Sequence, residues 1–387
     1  MTDDFADIRP YNDDEVVPVL ARLLGDAEFL DALVSFRLGA LASVAPALWR
    51  WLVRFLLARE VRGVHDVLSM QMVIESYMDR MIEKSTSGFT VSGLGALDAD
   101  GAYLFMSNHR DIALDPAFTN YALHTQGRPT VRIAIGDNLL SKPWVSDLMR
   151  LNKSFIVKRS LSGPRELFKA TKILSRYIHH SMQEEQTSIW LAQREGRAKD
   201  GVDRTEPVII KMLSMSRDKR EQEFAQHMAG LNIVPVAISY ELDPCDGAKA
   251  RELHQIHTQG SYQKGDQEDV ASIALGIAGQ KGHVHVAFGA PLAGTLDSPE
   301  AVAEAVDQQI TQAFCLHPTN VYAYHRLHGD NAPMPSGAYS EEGDCSEAQF
   351  NARIDALPEA HRPYALGIYA NAVVSKLAPT EVARLSC

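Results

Sequence analysis

The residue types best suited to chemistry lie in one short stretch, residues 108–116. It contains a single histidine, His109, and two aspartates, Asp111 and Asp115. A histidine held by a carboxylate is the basic unit of general-base catalysis on a hydroxyl, because the carboxylate fixes the imidazole tautomer and stabilises the imidazolium. Asp111 is so close to His109 in sequence that its carboxylate has little room to reach Nδ1. We therefore favour Asp115 as the partner, with Asp111 as the alternative.

The elements around this stretch are expected to place His109 at the end of a strand. The apolar run 102–107 predicts a short buried strand, and Pro116 suits the first position of a helix with Asp115 as its cap. Six steps along a helix rotate a side chain by ~240°. His109 and Asp115 can therefore meet only if His109 lies in the turn and Asp115 at the start of the helix. Open α/β sheets place their sites at such strand ends.

Two further predicted strands end in charged residues. Cations at these positions could bind a phosphate, and a guanidinium fork suits a phosphate better than an ammonium does. A glycine beside them lets the backbone turn with positive φ or approach a ligand closely. The residues concerned are Lys158 and Arg159 at the end of the predicted strand 154–158, and Glu195, Gly196, Arg197 and Lys199 after the predicted strand 187–193.

Composition narrows the class of protein. The chain has 387 residues, of which 45% are hydrophobic and 22% charged, as in a globular protein with a sizeable core. A net charge of −11 argues against a nucleic-acid partner, which requires a basic face. Four scattered cysteines without a CxxC pair indicate a reducing cytosol. The acidic N-terminus is not a secretory signal.

The order of predicted elements indicates an α/β fold. Helices alternate with strands over the middle of the chain, which predicts a largely parallel sheet with flanking helices. We expect a helical N-terminal domain (1–88), an α/β domain (89–297) and a helical C-terminal extension (298–387). The predicted strands are 102–107, 130–136, 154–158, 187–193, 233–240 and 283–288, and the helices between them are 116–126, 143–150, 163–183, 206–216, 219–229 and 268–279.

One N-terminal segment allows two interpretations. Residues 28–60 predict a long helix, kinked at Pro46, with an apolar stretch flanked by arginines and containing Trp49 and Trp51. Its charged residues make it too polar to span a bilayer. It is either a buried helix of the N-terminal domain or a surface that rests on a membrane.

Five blocks of the sequence resemble the phospholipid/glycerol acyltransferase family, whose members esterify glycerol phosphate or its lyso-derivatives. Residues 108–116 resemble its first motif, and residues 154–159 its second, an apolar strand closed by an arginine. Residues 190–199 resemble the third, in which Glu-Gly at a strand end is followed by an arginine. Residues 233–241 resemble the fourth, an apolar strand containing Val-Pro, and residues 283–292 the strand that closes the domain in the glycerol-3-phosphate branch.

Two spacings differ from the family's usual pattern. The usual first motif has four residues between the His and the Asp, whereas five separate His109 from Asp115. The usual third motif has its arginine three residues after the Glu. Here Arg197 follows Glu195 by two residues and Lys199 by four, so either cation could take that place.

The resemblance implies an enzyme that moves a fatty acyl group from an acyl thioester, of CoA or acyl carrier protein, to glycerol-3-phosphate or 1-acylglycerol-3-phosphate in phospholipid synthesis. His109 would be the base and Asp115 its partner. Backbone N–H groups at the start of the following helix could hold the oxyanion. No metal or bound cofactor is implied. The acceptor phosphate would be held by Arg159 with Lys158, and by Glu195, Gly196, Arg197 and Lys199.

These expectations extend to partners and location. We expect a cytoplasmic protein, peripheral on the cytoplasmic face of the membrane. The alternatives are another lyso-lipid or non-glycerol acceptor, or a non-catalytic membrane-associated scaffold with the same fold. Residues 109–112 also resemble a protein-kinase catalytic loop, but Pro116 stands where a kinase requires Asn, and the glycine-rich loop and Asp-Phe-Gly are absent.

Overall fold

The computed structural model describes residues 4–140, 142–265, 268–335, 340 and 343–377. Two predicted features, part of the acidic N-terminus and Cys387, lie outside these residues. The chain forms two compact units. One comprises residues 1–79 and 131–178, and the other residues 80–130 and 179–387. The predicted domain boundaries at 88/89 and 297/298 stay a prediction.

The described residues contain fifteen α-helices and seven strands. The helices are α1 Asp13–Gly25, α2 Ala27–Leu38, α3 Pro46–Glu60, α4 Val67–Ser85, α5 Leu114–Thr125, α6 Pro143–Leu151, α7 Pro164–Gln183, α8 Pro207–Leu213, α9 Phe224–Ala229, α10 Asp246–Gln259, α11 Glu268–Ala278, α12 Pro299–Ala313, α13 Pro318–His328, α14 Glu347–Asp355 and α15 Arg362–Leu377. The strands are β1 Thr86–Ser92, β2 Leu104–Ser107, β3 Arg132–Gly136, β4 Ser154–Val157, β5 Ile189–Ala192, β6 Ile233–Tyr240 and β7 Gly282–Phe288.

The first unit has a helical core. Helix α1 buries Val16, Val19 and Leu23, whose spacing puts them on one helical face. They belong to one apolar cluster with Val53 of α3 and Leu151 of α6. The same unit contains the parallel strands β3 and β4.

The predicted long helix over residues 28–60 is wrong, because the chain forms two helices there, α2 and α3. Gly39, directly after α2, has a φ of +52°, which helical residues do not adopt. Pro46 occupies the first turn of α3, where its missing N–H has no helical partner to lose. The proline therefore starts a helix instead of kinking one. No helix among the described residues is long and apolar enough to cross a membrane.

The second unit contains five strands that pair in the order β1-β7-β6-β2-β5. Strand β2 is parallel to both neighbours, β5 and β6, and β1 is parallel to β7. Only the β6–β7 pair is antiparallel among the pairings described in this unit. Mostly parallel strands with flanking helices confirm the predicted fold class.

All six predicted strands are present, and two elements were missed. Strand β1, Thr86–Ser92, follows α4 directly and has a short, polar sequence with a glycine, so it lacks the apolar run that marked the others. Helix α10, Asp246–Gln259, is mostly polar and gives little apolar periodicity. Both elements form because tertiary pairing and packing complete them.

The sheet determines where the functional residues meet. Strands β2, β5 and β6 are parallel neighbours, and Ser107 at the end of β2 is in register with Ala192 at the end of β5. The segments that follow these three strands therefore emerge at the same edge of the sheet. They begin with Asn108, Gln193 and Glu241.

Candidate active site

His109 and Asp115 are in direct contact at the carboxyl end of β2. His109 Nδ1 lies 2.9 Å from Oδ2 of Asp115. A carboxylate only accepts hydrogen bonds, so Nδ1 carries the hydrogen and Nε2 presents a lone pair. Within the described part of the chain, Nε2 of His109 has no hydrogen-bond partner. The His109 side chain is 14% exposed and Asp115 is fully buried, so the imidazole is reachable and its carboxylate is not.

The Asp115 carboxylate accepts from three further donors. Its Oδ2 accepts the backbone N–H of Arg110 at 2.6 Å and that of Asp111 at 2.9 Å. Its Oδ1 accepts the hydroxyl of Tyr240 at 2.7 Å. Burial and the neighbouring carboxylates raise the pKa of Tyr240, which keeps that hydroxyl protonated. Four donors thus compensate for burying the carboxylate.

Asp111 has the capping role that the sequence suggested for Asp115. Helix α5 starts at Leu114, and Oδ1 of Asp111 accepts the N–H groups of Ala113 and Leu114, both at 2.9 Å. The predicted cap by Asp115 is therefore wrong, since Asp115 lies inside the helix and turns back toward the loop. Burial, reinforced by the nearby Asp115 carboxylate, raises the pKa of Asp111.

Two neighbours of His109 fix the loop to the rest of the domain. The buried Asn108 accepts the N–H of Ile238 at 2.8 Å and donates to the Ile238 carbonyl at 3.0 Å, which extends the β2–β6 pairing beyond Ser107. The buried Arg110 donates to Asp203 at 2.7 Å and to the Gly201 carbonyl at 3.0 Å. These contacts leave the imidazole as the accessible functional group of the loop.

The segment after β5 is attached to His109 through the backbone. The Ala198 N–H donates to the His109 carbonyl at 2.7 Å. Gly196 has a φ of +71°, as its type allows. Arg197 donates from Nη2 to Ser272 Oγ at 3.3 Å, whereas its buried Nη1 has no partner in the described structure. Lys199 forms an ion pair with Glu252.

The remaining predicted site residues are distributed differently. Glu195 is exposed, and its N–H donates to Glu206 at 3.2 Å. Lys158 and Arg159 belong to the first unit, where Lys158 lies 3.6 Å from Asp7. The Arg159 N–H donates to Asp137 at 3.0 Å. Their roles toward a substrate stay predictions.

Three residues of this site were not identified from the sequence. Tyr240 ends β6 and binds Asp115, Trp190 places its ring centroid 6.1 Å from that of His109, and Asp203 pairs with Arg110. The sequence offered one signal for Tyr240, because it is the last residue of the predicted strand 233–240. Within the described residues, no group of three or more His, Cys, Asp or Glu side chains could hold a metal ion.

An accessible histidine held by a buried aspartate at a strand end of an α/β domain suits proton abstraction from a hydroxyl. Residues 88–239 match the family model described as Acyltransferase. The matched segment contains His109, Asp115 and the blocks at 154–159 and 190–199. This segment is thus an acyltransferase domain, and the family that the sequence resembles is confirmed for it.

Among solved structures, the chain is similar to that of the 1-acyl-sn-glycerophosphate (LPA) acyltransferase PlsC from Thermotoga maritima. The sequences are 15% identical and the TM-score is 0.35, over 74% of this chain and 95% of that chain. No curated protein matches the chain.

The four hydrogen bonds to Asp115 predict that Asp115→Asn is far more damaging than Asp111→Asn. An amide offers one acceptor oxygen, and its NH₂ would face donors, so the Asp115→Asn variant should lose about 1–3 kcal/mol of stability and more than ~10²-fold in kcat. In Asp111→Asn the amide oxygen can still accept from Ala113 and Leu114, so the effect should be small. Thioester cleavage rates and melting temperatures of both variants test this. A larger loss of kcat in Asp111→Asn, at unchanged stability, would assign the histidine's partner to Asp111.

Proposed function

We propose that this acyltransferase moves a fatty acyl group from the thioester of CoA or acyl carrier protein to a hydroxyl of glycerol-3-phosphate or 1-acylglycerol-3-phosphate. His109 is the general base. The proposal rests on how the two ring nitrogens of His109 are hydrogen-bonded. Nδ1 is held by the buried Asp115, and Nε2 is open on the accessible side. That arrangement suits proton abstraction from a hydroxyl.

The reaction proceeds in two steps. His109 Nε2 takes the proton of the acceptor hydroxyl while its oxygen attacks the thioester carbonyl carbon. The tetrahedral intermediate then collapses, the C–S bond breaks, and the departing thiolate takes the proton from the imidazolium. Asp115 stabilises that imidazolium between the two steps.

The helix start contributes less to the oxyanion than the sequence suggested. The N–H groups of Ala113 and Leu114 are already bound by Asp111. Those of Arg110 and Asp111 are bound by Asp115. These four N–H groups are therefore not available to the oxyanion.

We propose Arg197, which follows β5, as the cation that binds the acceptor phosphate. Its buried Nη1 has no partner in the described structure, and the next residue is bonded to His109. An unpaired buried guanidinium N–H is costly, and an anionic ligand would satisfy it. Lys199 is the weaker candidate, since it already pairs with Glu252. Arg159 is assigned to the phosphate by its place in the second block.

The first unit is proposed to rest on a membrane surface through α3. This helix buries Val53 but exposes Trp51 by 62% and Phe55 by 53%, and the two rings stack with centroids 5.8 Å apart. Leu48, one turn earlier, is also exposed. An amphipathic helix with aromatic side chains and nearby arginines inserts its apolar face into the lipid boundary. The cytoplasmic face is the side we propose.

His109→Ala tests the assigned reaction. Thiol release is measured with an acyl-CoA or acyl carrier protein donor and with glycerol-3-phosphate, lysophosphatidate, a choline lysophospholipid or no acceptor. The wild type should require a phosphate acceptor, and the variant should lose about 10²–10⁴-fold in rate with unchanged circular dichroism. Activity above a few per cent of wild type in the folded variant would contradict the base assignment. Preference for the choline lysophospholipid would show that the acceptor belongs to another class of lipid.

Removing either phosphate cation should affect the acceptor more than the donor. Arg159→Ala and Arg197→Ala are each expected to raise the acceptor KM at least about tenfold, with partial rescue by lysine because the bidentate geometry is lost. Lys172→Ala, which removes an exposed cation from α7, is the control. A KM change confined to the donor would assign that arginine to the carrier's phosphates instead.

Replacing the exposed rings of α3 should weaken membrane binding. Trp51→Ser combined with Phe55→Ser is expected to lower sedimentation with anionic phospholipid vesicles at least about tenfold, because each ring buries apolar area in the lipid. Val208→Ser removes a similarly exposed apolar side chain from α8 and should not alter binding. Equal vesicle binding by wild type and the double variant would exclude α3 as the membrane contact.

A further inference from the structure

Lys249 is a lysine placed where lysines rarely occur. It lies in α10, beyond the matched acyltransferase segment, and is only 2% exposed. An ammonium is seldom fully buried unless it is paired, because desolvation disfavours the charged form. Its partners should therefore indicate why the charge is retained.

The Lys249 ammonium bridges an acidic residue and the catalytic loop. Nζ forms an ion pair with the Asp243 carboxylate and donates to the Arg110 carbonyl at 2.7 Å. Asp243 also accepts the N–H of Cys245 at 2.8 Å. Burial by itself would raise the pKa of Asp243, but the Lys249 ammonium holds it below its ordinary value. The Asp243 carboxyl is therefore ionised at neutral pH.

The bond to the Arg110 carbonyl fixes one particular peptide group. A peptide unit is planar, and its carbonyl and N–H point in opposite directions when it is trans. The unit that carries the Arg110 carbonyl also carries the N–H of Asp111. That N–H donates to Oδ2 of Asp115 at 2.9 Å, the same oxygen that binds His109. Lys249 and Asp115 thus hold this peptide from its two ends.

We infer that Lys249 is a positioning residue for the His109–Asp115 pair. Its ammonium, held by Asp243, fixes the orientation of the Arg110–Asp111 peptide, and that peptide fixes Oδ2 of Asp115 against Nδ1 of His109. The catalytic part of this inference rests on the proposed function, whereas the geometric part does not. Asp243 follows β6 by three residues, and Tyr240 at the end of the same strand binds the other oxygen of Asp115. The end of β6 therefore supports the Asp115 carboxylate twice, directly through Tyr240 and indirectly through Asp243 and Lys249.

Replacing both members of the ion pair together avoids leaving one buried charge without a partner. Lys249→Met would strand the Asp243 carboxylate, so the informative variant is the double one, Lys249→Met with Asp243→Asn. The amide introduced at position 243 can still accept from Cys245, and the methionine fills the space of the lysine stem. The control is Arg326→Met with Asp355→Asn. It removes an ion pair between α13 and α14 that contacts neither Asp243 nor residues 109–115.

Two measurements on folded protein separate positioning from a structural role. The first is steady-state kinetics. The Lys249/Asp243 variant should lose at least about tenfold in kcat with both KM values within about twofold, because small displacements of catalytic groups cost rate more than binding. The second is the Nδ1–H proton resonance in ¹⁵N-histidine-labelled protein, assigned by its absence from His109→Ala. We expect it to broaden or shift in this variant only.

The outcomes distinguish this inference from the proposed function. If kcat and the Nδ1–H resonance match those of the Arg326/Asp355 control, Lys249 has no positioning role. If no acceptor supports thiol release by the wild type, the proposed reaction fails, but the resonance still decides whether Lys249 orients His109. If the double variant does not fold, Lys249→Leu with Asp243→Asn, which also removes both charges, is measured in its place. An unchanged resonance and kcat there would also overturn the inference.

Discussion

The candidate active site depends on one buried carboxylate. Asp115 has no exposed surface, yet it accepts from the imidazole of His109, two consecutive backbone N–H groups and the hydroxyl of Tyr240. Burying an ion without such partners costs several kcal/mol or forces its neutralisation. The four donors therefore do more than stabilise the fold. They hold the loop after β2 around Asp115. Nδ1 of His109 is thereby placed against Oδ2 of that carboxylate.

The longer spacer between the histidine and its aspartate has a structural consequence. The loop contains one residue more than the family's usual first motif, and it also contains an additional carboxylate, Asp111. That carboxylate caps α5 and so releases Asp115 from the capping role. Each carboxylate thus has its own donors, since Asp111 binds the helix start and Asp115 binds the loop. The capping also occupies backbone N–H groups that would otherwise be free to stabilise an oxyanion.

Residues far along the chain complete the same site. The end of β6 contributes Tyr240 to Asp115 and Asp243 to Lys249, while the segment after β5 binds the His109 carbonyl through Ala198. Each of these contacts reaches a backbone group or a fully buried atom. The loop therefore has most of its polar backbone bonded and one accessible imidazole nitrogen without a partner among the described residues, which is the form of preorganisation that catalysis uses.

The sequence by itself determined the elements whose signal is local. Apolar runs predicted six of the seven described strands, and the His109 stretch with its following blocks identified the family. Local signals could not reveal β1, which is short and polar and forms by pairing with β7, or the break between α2 and α3, where a glycine with positive φ interrupts an otherwise apolar pattern. The choice between Asp111 and Asp115 was also beyond the sequence. Both carboxylates lie within reach of the same loop, and only the folded backbone decides which N–H groups each one meets. The role of Lys249 is of the same kind, because a lysine in a polar helix is expected to be solvated until the tertiary structure buries it against a carbonyl 139 residues away.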